Sequence, residues 1–76
     1  MIAIPGCVVC VAPADGRARA LVERGAAVEP GQVVAVVDAQ GHSAPVRAPI
    51  FGRVGGALTG RGQTVTRGEA VVWLLR

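Results

Sequence analysis

The sequence contains no lysine, so all eight of its basic side chains are arginines. It also has no tyrosine, and its only large aromatic side chains are Phe51 and Trp73. A surface that stacks the bases of single-stranded nucleic acid needs several exposed rings, so this composition disfavours such a function. The arginines form no run, and a net charge of +3 distributed in this way is typical of a solvated surface.

Long apolar runs are absent as well. Pro5 and Gly6 interrupt the first apolar stretch, and no segment approaches the roughly 20 apolar residues that span a bilayer. We therefore expect no signal peptide, no membrane segment and a cytoplasmic protein. A chain of 76 residues is expected to form a single domain, residues 1–76, and its 51% hydrophobic content, chiefly valine and alanine, can supply a core.

The informative feature of the chain is an internal repeat. Residues 12–17 read Ala-Pro-x-x-Gly-Arg, and the same pattern recurs at residues 48–53. Residues 25–31 read Gly-x-x-Val-x-x-Gly, and this pattern recurs at residues 62–68. The first offset is 36 residues and the second is 37, so the second copy contains one inserted residue. Two copies in so short a chain predict a small pseudo-twofold domain with repeats at about 12–38 and 48–74.

Short valine-rich segments separated by Gly, Pro and Asp predict an all-β sandwich or barrel. A helix over residues 18–27 is disfavoured, because the segment has no apolar stripe at helical spacing and its counterpart contains Gly55 and Gly56. Glycines before the short strands and at the tight turns are expected to adopt positive φ. We predict strands at residues 8–12, 17–22, 33–38, 43–48, 53–58 and 70–75, and two very short ones near 27–29 and 64–66.

Together these motifs resemble the biotinyl/lipoyl carrier domain family, and more closely its biotin carboxyl carrier type, over about residues 8–75. The resemblance implies an all-β flattened β-barrel, or barrel-sandwich hybrid, of two pseudo-twofold-related four-stranded halves. It also implies that the hairpin between the halves is the end that enters partner enzymes. In that family the hairpin reads Glu-Ala-Met-Lys-Met, and biotin is attached to the lysine.

In this chain the corresponding residues are Asp38, Ala39, Gln40, Gly41 and His42, so glycine stands where the family has its lysine. A two-residue turn with Gly41 at its tip is expected here. Because the chain has no other lysine, biotin or lipoate cannot be attached through a lysine amide, and we expect no cofactor. The resemblance then implies a non-catalytic module for interaction, assembly or decoy binding, with a partner from a carboxylase or acyltransferase-type enzyme system.

The predicted docking end therefore comprises Gln40, Gly41 and His42. An alternative is an unconventional carrier or enzyme component with a covalent group or ligand at His42, Ser43 or a cysteine. A general base needs an orienting carboxylate within reach, and we expect Asp38 to lie several residues down its strand. The simpler interpretation of His42 is an exposed polar residue in a turn.

The segment Cys7-Val8-Val9-Cys10 has the spacing of a redox or zinc motif, but it lies in a predicted strand, where residues i and i+3 face opposite sides. A zinc site needs about four ligands, and the chain offers two cysteines and one histidine. The favoured interpretation is two small buried hydrophobic residues and no metal site, with a redox-labile thiol as the alternative.

Two pairs of arginines occupy equivalent places in the repeat. Arg17 corresponds to Arg53, and Arg24 corresponds to Arg61. Since arginine binds carboxylates in a bidentate geometry, these four residues are candidates for docking an anion or a partner. Trp73 is predicted to fill the core or a shared edge, and the rest of the interior is expected to be filled by valine and alanine.

Overall fold

Every regular element in residues 6–76 is a β-strand. The computed structural model describes residues 6–76, and the part of the first apolar stretch before Gly6 lies outside the described residues. No helix in the described part of the chain has the length and hydropathy needed to cross a membrane. The predicted strands are confirmed, each boundary within one residue. The strands are β1 (Cys7–Val11), β2 (Gly16–Leu21), β3 (Ala27–Val28), β4 (Val33–Ala39), β5 (His42–Arg47), β6 (Gly52–Ala57), β7 (Thr64–Val65) and β8 (Ala70–Leu75).

The strands form two four-stranded antiparallel sheets. Sheet 1 has the order β1-β8-β6-β3, and sheet 2 has the order β5-β4-β2-β7. Exchanging each strand for its counterpart in the other copy, β1 for β5 through β4 for β8, converts the order of sheet 1 into that of sheet 2. This confirms the flattened barrel of two related halves. Each sheet takes two strands from each copy, so neither copy forms a complete sheet alone.

The equivalent strands β2 and β6 each carry a β-bulge at the same place in the repeat. In β2 the extra residue against β4 is Arg19, and in β6 the extra residue against β8 is Gly55. Arg19 and Gly55 are 36 residues apart, as are the Ala-Pro blocks. The inserted residue of the second copy therefore lies after β6, in the loop before β7.

The glycine of each Ala-Pro-x-x-Gly motif is required by a close approach of two strands. A Cβ atom on Gly16 would overlap the carbonyl oxygen of Asp38, and one on Gly52 would overlap that of Leu75. The two positions are equivalent in the repeat. Glycine therefore recurs at this position of the motif because the same steric constraint occurs in both copies.

The interior lies between the sheets and contains aliphatic side chains, as expected. Trp73 is not among them: its ring lies over the backbone of Gly55 and Gly56, and a Cβ on Gly56 would come within 2.9 Å of the indole Nε1. The prediction that Trp73 fills the core is wrong, because the β6 bulge and its two glycines open a place for the ring outside it. The most deeply buried side chains are Val34, Val37, Val54, Val65, Val71, Val72 and Leu74.

Candidate functional site

The β4–β5 hairpin ends in a two-residue turn. Ala39 pairs with His42, and Gln40 and Gly41 between them have φ values of 40° and 84°. Two successive residues in the left-handed region define the type I′ geometry, whose twist matches that of the flanking strands. The predicted turn with Gly41 at its tip is confirmed. A Cβ on Gly41 would meet no atom within 4 Å, so the tip projects into open space.

Three polar side chains tie the hairpin to β2 just below its turn. The Arg19 Nε lies 2.9 Å from Oδ1 and 2.8 Å from Oδ2 of Asp38, and its Nη2 donates to Ser43 Oγ at 3.1 Å. The Ser43 hydroxyl in turn donates to Asp38 Oδ1 at 3.2 Å. These contacts connect β2, β4 and β5. The hydrogen bond from Arg19, followed by that from Ser43, holds the pKa of Asp38 below its ordinary value.

Sequence reasoning did not single out Arg19. Its role depends on the bulge that places it beside Asp38, and a bulge is visible only once strand pairing is known. One signal was available, since the second copy has Gly55 at the equivalent position and so lacks the guanidinium. The expectation that Asp38 lies several residues from the tip is wrong, because Asp38 pairs directly with Ser43, the neighbour of His42.

The Asp38 carboxylate binds Arg19 and Ser43 rather than His42. His42 is exposed beside the turn. The arrangement that would orient a histidine as a general base, a carboxylate bonded to its ring, is therefore not formed by this carboxylate. Ser43 is also poorly suited to act as a nucleophile, since a carboxylate whose pKa is lowered is a weaker proton acceptor.

A shallow groove of about 350 Å³ lies beside the tip, between the hairpin and two neighbouring loops. Gln40 and His42 form one side, and Asp15 and Arg67 lie on the other. The Arg67 backbone N–H donates to Asp15 Oδ1 at 2.7 Å, which ties the β1–β2 loop to the β7–β8 turn. The groove thus combines an amide, an imidazole, a carboxylate and a guanidinium. Sequence reasoning missed Asp15 and Arg67, because each lies in a different copy of the repeat.

The four candidate docking arginines are divided between the sheets. Arg17 lies on β2 in sheet 2, and the turn that carries Arg61 is hydrogen-bonded to that strand. Arg53 lies on β6 in sheet 1, and its Nη1 donates at 3.2 Å to the carbonyl of Gly25, next to Arg24. The structure therefore groups Arg17 with Arg61 and Arg53 with Arg24, instead of joining equivalent residues. A docking role for these arginines stays a prediction.

The two cysteines are free thiols in β1. Cys10 is buried, and burial raises its thiol pKa, whereas Cys7 is half-buried at the start of the strand. A raised pKa keeps the thiol protonated and lowers its reactivity. Within residues 6–76 no group of three or more His, Cys, Asp or Glu side chains is placed to hold a metal ion.

Comparison with known proteins identifies the architecture. Residues 9–75 match the family described as "RND MFP, barrel-sandwich hybrid domain". No curated protein matches the sequence.

Three solved structures share the fold of the whole chain or nearly all of it. A single-chain, multi-domain long-chain acyl-CoA carboxylase matches with a TM-score of 0.88 and 24% identity, over 100% of this chain and 8% of its own. Urea carboxylase from Kluyveromyces lactis matches with a TM-score of 0.87 and 22% identity, over 99% of this chain and 7% of its own.

The third match is the lipoyl domain of the 2-oxoglutarate dehydrogenase complex from Azotobacter vinelandii. It has a TM-score of 0.70 and 22% identity, and the match covers 91% of this chain and 98% of that domain. At such identities the likeness concerns the fold. The coverages show that this chain is similar in length to the separate lipoyl domain and spans less than a tenth of either carboxylase. The resemblance to biotinyl/lipoyl carrier domains is confirmed.

Proposed function

The chain belongs to the family of barrel-sandwich hybrid domains, and from this premise we propose that it is a non-catalytic interaction module that docks through its hairpin end. One observation supports this proposal above the others. The hairpin keeps a tight, open tip on a carrier-type fold, yet the tip residue is Gly41 and the sequence contains no lysine. The position that carries a group in biotin carboxyl carriers has no side chain in this protein.

The geometry of the hairpin suits recognition by a partner. The contacts among Arg19, Asp38 and Ser43 hold the hairpin in one conformation just below its turn. Little conformational freedom is therefore lost when a partner binds. The neighbouring groove presents His42 and Arg67, which can donate hydrogen bonds to carboxylates or carbonyl groups of a protein surface. Affinity would then come from shape and polar complementarity and would require no nucleophile.

The partner we propose is an enzyme of a carboxylase or acyl-transfer system. Support comes from the two carboxylases whose structures contain a region of this fold. A second candidate rests on the family match, whose description places such domains in RND MFP proteins. In that case the chain would serve as a structural domain within an assembly of that kind. Identification of the bound protein separates the two candidates.

The first experiment tests the absence of a carrier role. We expect the intact mass of the chain to stay unchanged after co-expression with a biotin ligase or a lipoate ligase, and after purification from its native host. The variant Gly41→Lys, combined with Gln40→Met and His42→Met, is expected to accept biotin. A side chain at position 41 has open space around it, and the φ of +84° imposes a strain that lysine must bear. The matched control is the same triple change with Gly41→Arg, which cannot form the amide.

A native mass adduct that peptide mapping assigns to His42, Ser43 or a cysteine would support the alternative of an unconventional carrier. It would contradict the proposed module. Failure of the lysine variant to accept biotin would instead weaken the likeness of the hairpin to a biotin acceptor, and would leave the fold unaffected.

The second experiment tests the docking end. A photo-crosslinker placed at Gln40 should capture a partner from the native host, and the purified partner can then be titrated with variants. We expect His42→Ala to weaken binding by about 1 kcal/mol, or roughly fivefold, if it removes one ordinary hydrogen bond. Phe51→Ala, an exposed residue beyond the end of β5 that is opposite to the turn, serves as the control and should bind as the wild type does. Loss of binding in Arg24→Ala with no change in His42→Ala would move the docking surface to the arginines.

A further inference from the structure

The outer faces of the two sheets differ in chemistry although their strands are equivalent. On sheet 1 the outward residues include Val9 and Val11 of β1 and Trp73 and Leu75 of β8. Val9 pairs with Trp73 across the two strands, and Val11 pairs with Ala70. We call Val9, Val11, Trp73 and Leu75 the apolar face. The side chains of Val11 and Leu75 are 47% and 44% exposed.

The equivalent face of sheet 2 is polar. The counterparts of Val9, Val11, Trp73 and Leu75 in the repeat are, in that order, Pro45, Arg47, Val36 and Asp38. On sheet 2 the bulge residue is the charged Arg19, which is bonded to Asp38, and on sheet 1 it is a glycine. On sheet 1 the two strands β1 and β8 carry no charged residue. The charged residue of that face is Arg53 on β6, which pairs with Leu75 and donates to the Gly25 carbonyl. Contiguous apolar surface of this kind marks an interaction site more often than a solvated face.

The edge of sheet 1 beside the apolar face is open. The Arg76 N–H donates to the Gly6 carbonyl at 3.0 Å, which makes Gly6 and Arg76 a hydrogen-bonded pair. Because such pairs alternate along antiparallel strands, Val8 also bonds to β8, whereas the N–H and C=O of Cys7 and Val9 face away from it. In the described part of the chain no strand pairs with β1 on that side.

β1 also lacks the features that protect edge strands. It reads Cys-Val-Val-Cys-Val, with neither charge nor proline, and such an edge favours strand addition. Its counterpart β5, the edge of sheet 2, contains Pro45 and Arg47. A groove of about 490 Å³ runs along the free side of β1. It is lined mainly by aliphatic side chains and prolines, and Arg47 and Arg76 also line it. The open edge is therefore accessible to another strand.

We propose that β1 and the apolar face form a self-association surface, on which a second copy of this chain pairs its own β1 antiparallel to the first. With the twofold axis at Val9, Val9 lies opposite Val9 of the other copy and Cys7 lies opposite Val11. In this register the edge-facing N–H and C=O groups of the two strands bond to each other. The pairing joins the two copies of sheet 1 into one eight-stranded sheet.

The charge distribution favours contact between two copies through their β1 edges over contact through the outer faces of sheet 2. The outer face of sheet 2 carries Arg17, Arg19 and Arg47, so two such faces would repel each other. The four residues of the apolar face are uncharged, and Arg53 on β6 is separated from the β1 edge by β8, so two β1 edges can approach with less repulsion. Antiparallel pairing directs the two hairpin ends in opposite directions and leaves both accessible. The surface is therefore separate from the docking end proposed above and does not depend on it.

Sedimentation velocity over a range of concentrations tests the proposal. A pair of five-residue strands is smaller than a standard stable interface, so we expect a weak dimer with a dissociation constant on the order of 100 µM. Val9→Pro removes an edge-facing N–H but no bond to β8, and should weaken the dimer by about tenfold or more. Val11→Lys should have a similar effect, because it places a charge within the apolar face, opposite Cys7 of the other copy.

The control is Val33→Lys, which changes an exposed valine on the outer face of sheet 2 and should dimerise as the wild type does. Circular dichroism verifies that each variant is folded. A wild-type protein that stays monomeric at about 1 mM, well above the expected dissociation constant, would overturn the proposal. So would a dimer that is unaffected by both Val9→Pro and Val11→Lys.

A disulfide trap tests the register. In the variant Val11→Cys, with Cys10→Ala to remove the buried thiol, the new cysteine should lie opposite Cys7 of the second copy. Hydrogen-bonded pairs have Cα atoms about 5.5 Å apart, which suits a disulfide. On oxidation with copper phenanthroline we expect a covalent dimer linked between positions 7 and 11. The control Val33→Cys, also with Cys10→Ala, places the new thiol on the outer face of sheet 2 and should crosslink at least tenfold more slowly. Equal rates in the two proteins would refute the proposed pairing.

Discussion

Substituting alanine for glycine at three positions should separate the physical reasons for which this chain uses glycine. Gly16 lies at the base of the candidate site, where a Cβ would come within 2.8 Å of the carbonyl carbon of Asp38 and overlap its oxygen. Gly31 has a φ of +86° but open space around it. Gly60 has neither constraint, since its nearest neighbour would be the Gln63 Oε1 at 3.6 Å. The three changes add the same methyl group and differ only in environment.

The expected costs differ in size and sign. Gly16→Ala must displace β2 from β4, and we expect a loss of about 3 kcal/mol from overpacking and weakened strand hydrogen bonds. Gly52→Ala meets the carbonyl of Leu75 in the same way and should cost a similar amount. Gly31→Ala should cost about 1 kcal/mol, the strain of a left-handed alanine. Gly60→Ala should stabilise the fold by about 0.5 kcal/mol, because alanine lowers the entropy of the unfolded chain.

Urea unfolding followed by Trp73 fluorescence provides the assay. The indole lies on the backbone of sheet 1, so its emission should change when the sheet separates. With a slope of about 1 kcal/mol per molar urea for a small domain, the Gly16→Ala midpoint should fall by about 3 M. The reasoning is refuted if Gly16→Ala is no less stable than Gly31→Ala, or if Gly60→Ala is as destabilising as Gly16→Ala.

Three further changes test other features of the structure. Gln40→Asn should raise the free energy of unfolding by about 0.5 kcal/mol, since asparagine tolerates the left-handed first position of a type I′ turn; a decrease in the melting temperature would contradict this. Arg19→Ala should raise the pKa of Asp38 toward 3.8, measured by carboxyl NMR titration. Because the pKa of Asp38 is lower in the folded state than in the unfolded state, the contact stabilises the protein above about pH 4. This contribution is lost as the pH falls through the folded pKa, and Arg19→Ala should lack that acid-dependent loss of stability. An unchanged titration of Asp38 in the variant would contradict the contact. Thr59→Val should stabilise the fold by about 1 kcal/mol, because the buried hydroxyl has no hydrogen-bond partner among residues 6–76, and a denaturant midpoint below that of the wild type would show otherwise.

The fold could be predicted from the sequence because its signals are local and occur twice. The turn glycines, such as Gly31 and its counterpart Gly68, mark where strands end, and both adopt the positive φ expected of them. Valine-rich segments then mark the strands between the turns. The repeat adds a constraint that neither copy supplies alone, since a segment must fold in the same way in both. Residues 18–27 could be recognised as non-helical on this ground.

The chemistry of the hairpin tip was also evident from the sequence. A type I′ turn needs two left-handed residues, and Gln40-Gly41 stands at the boundary between the copies. The absence of lysine is a fact of composition that excludes a lysine-linked group without reference to any structure. The proposed function depends on these two observations.

What only the tertiary structure decided is which distant residues become neighbours. Each sheet takes strands from both copies, so Arg17 lies near the turn of Arg61 and apart from its equivalent Arg53. Arg19 reaches Asp38 because a bulge shifts the register of β2 by one residue. Turn and strand signals depend on a residue and its immediate neighbours in the chain. Strand order, bulges and the chemistry of an outer face depend on pairing between segments far apart in sequence, and the pattern of one strand alone does not encode them.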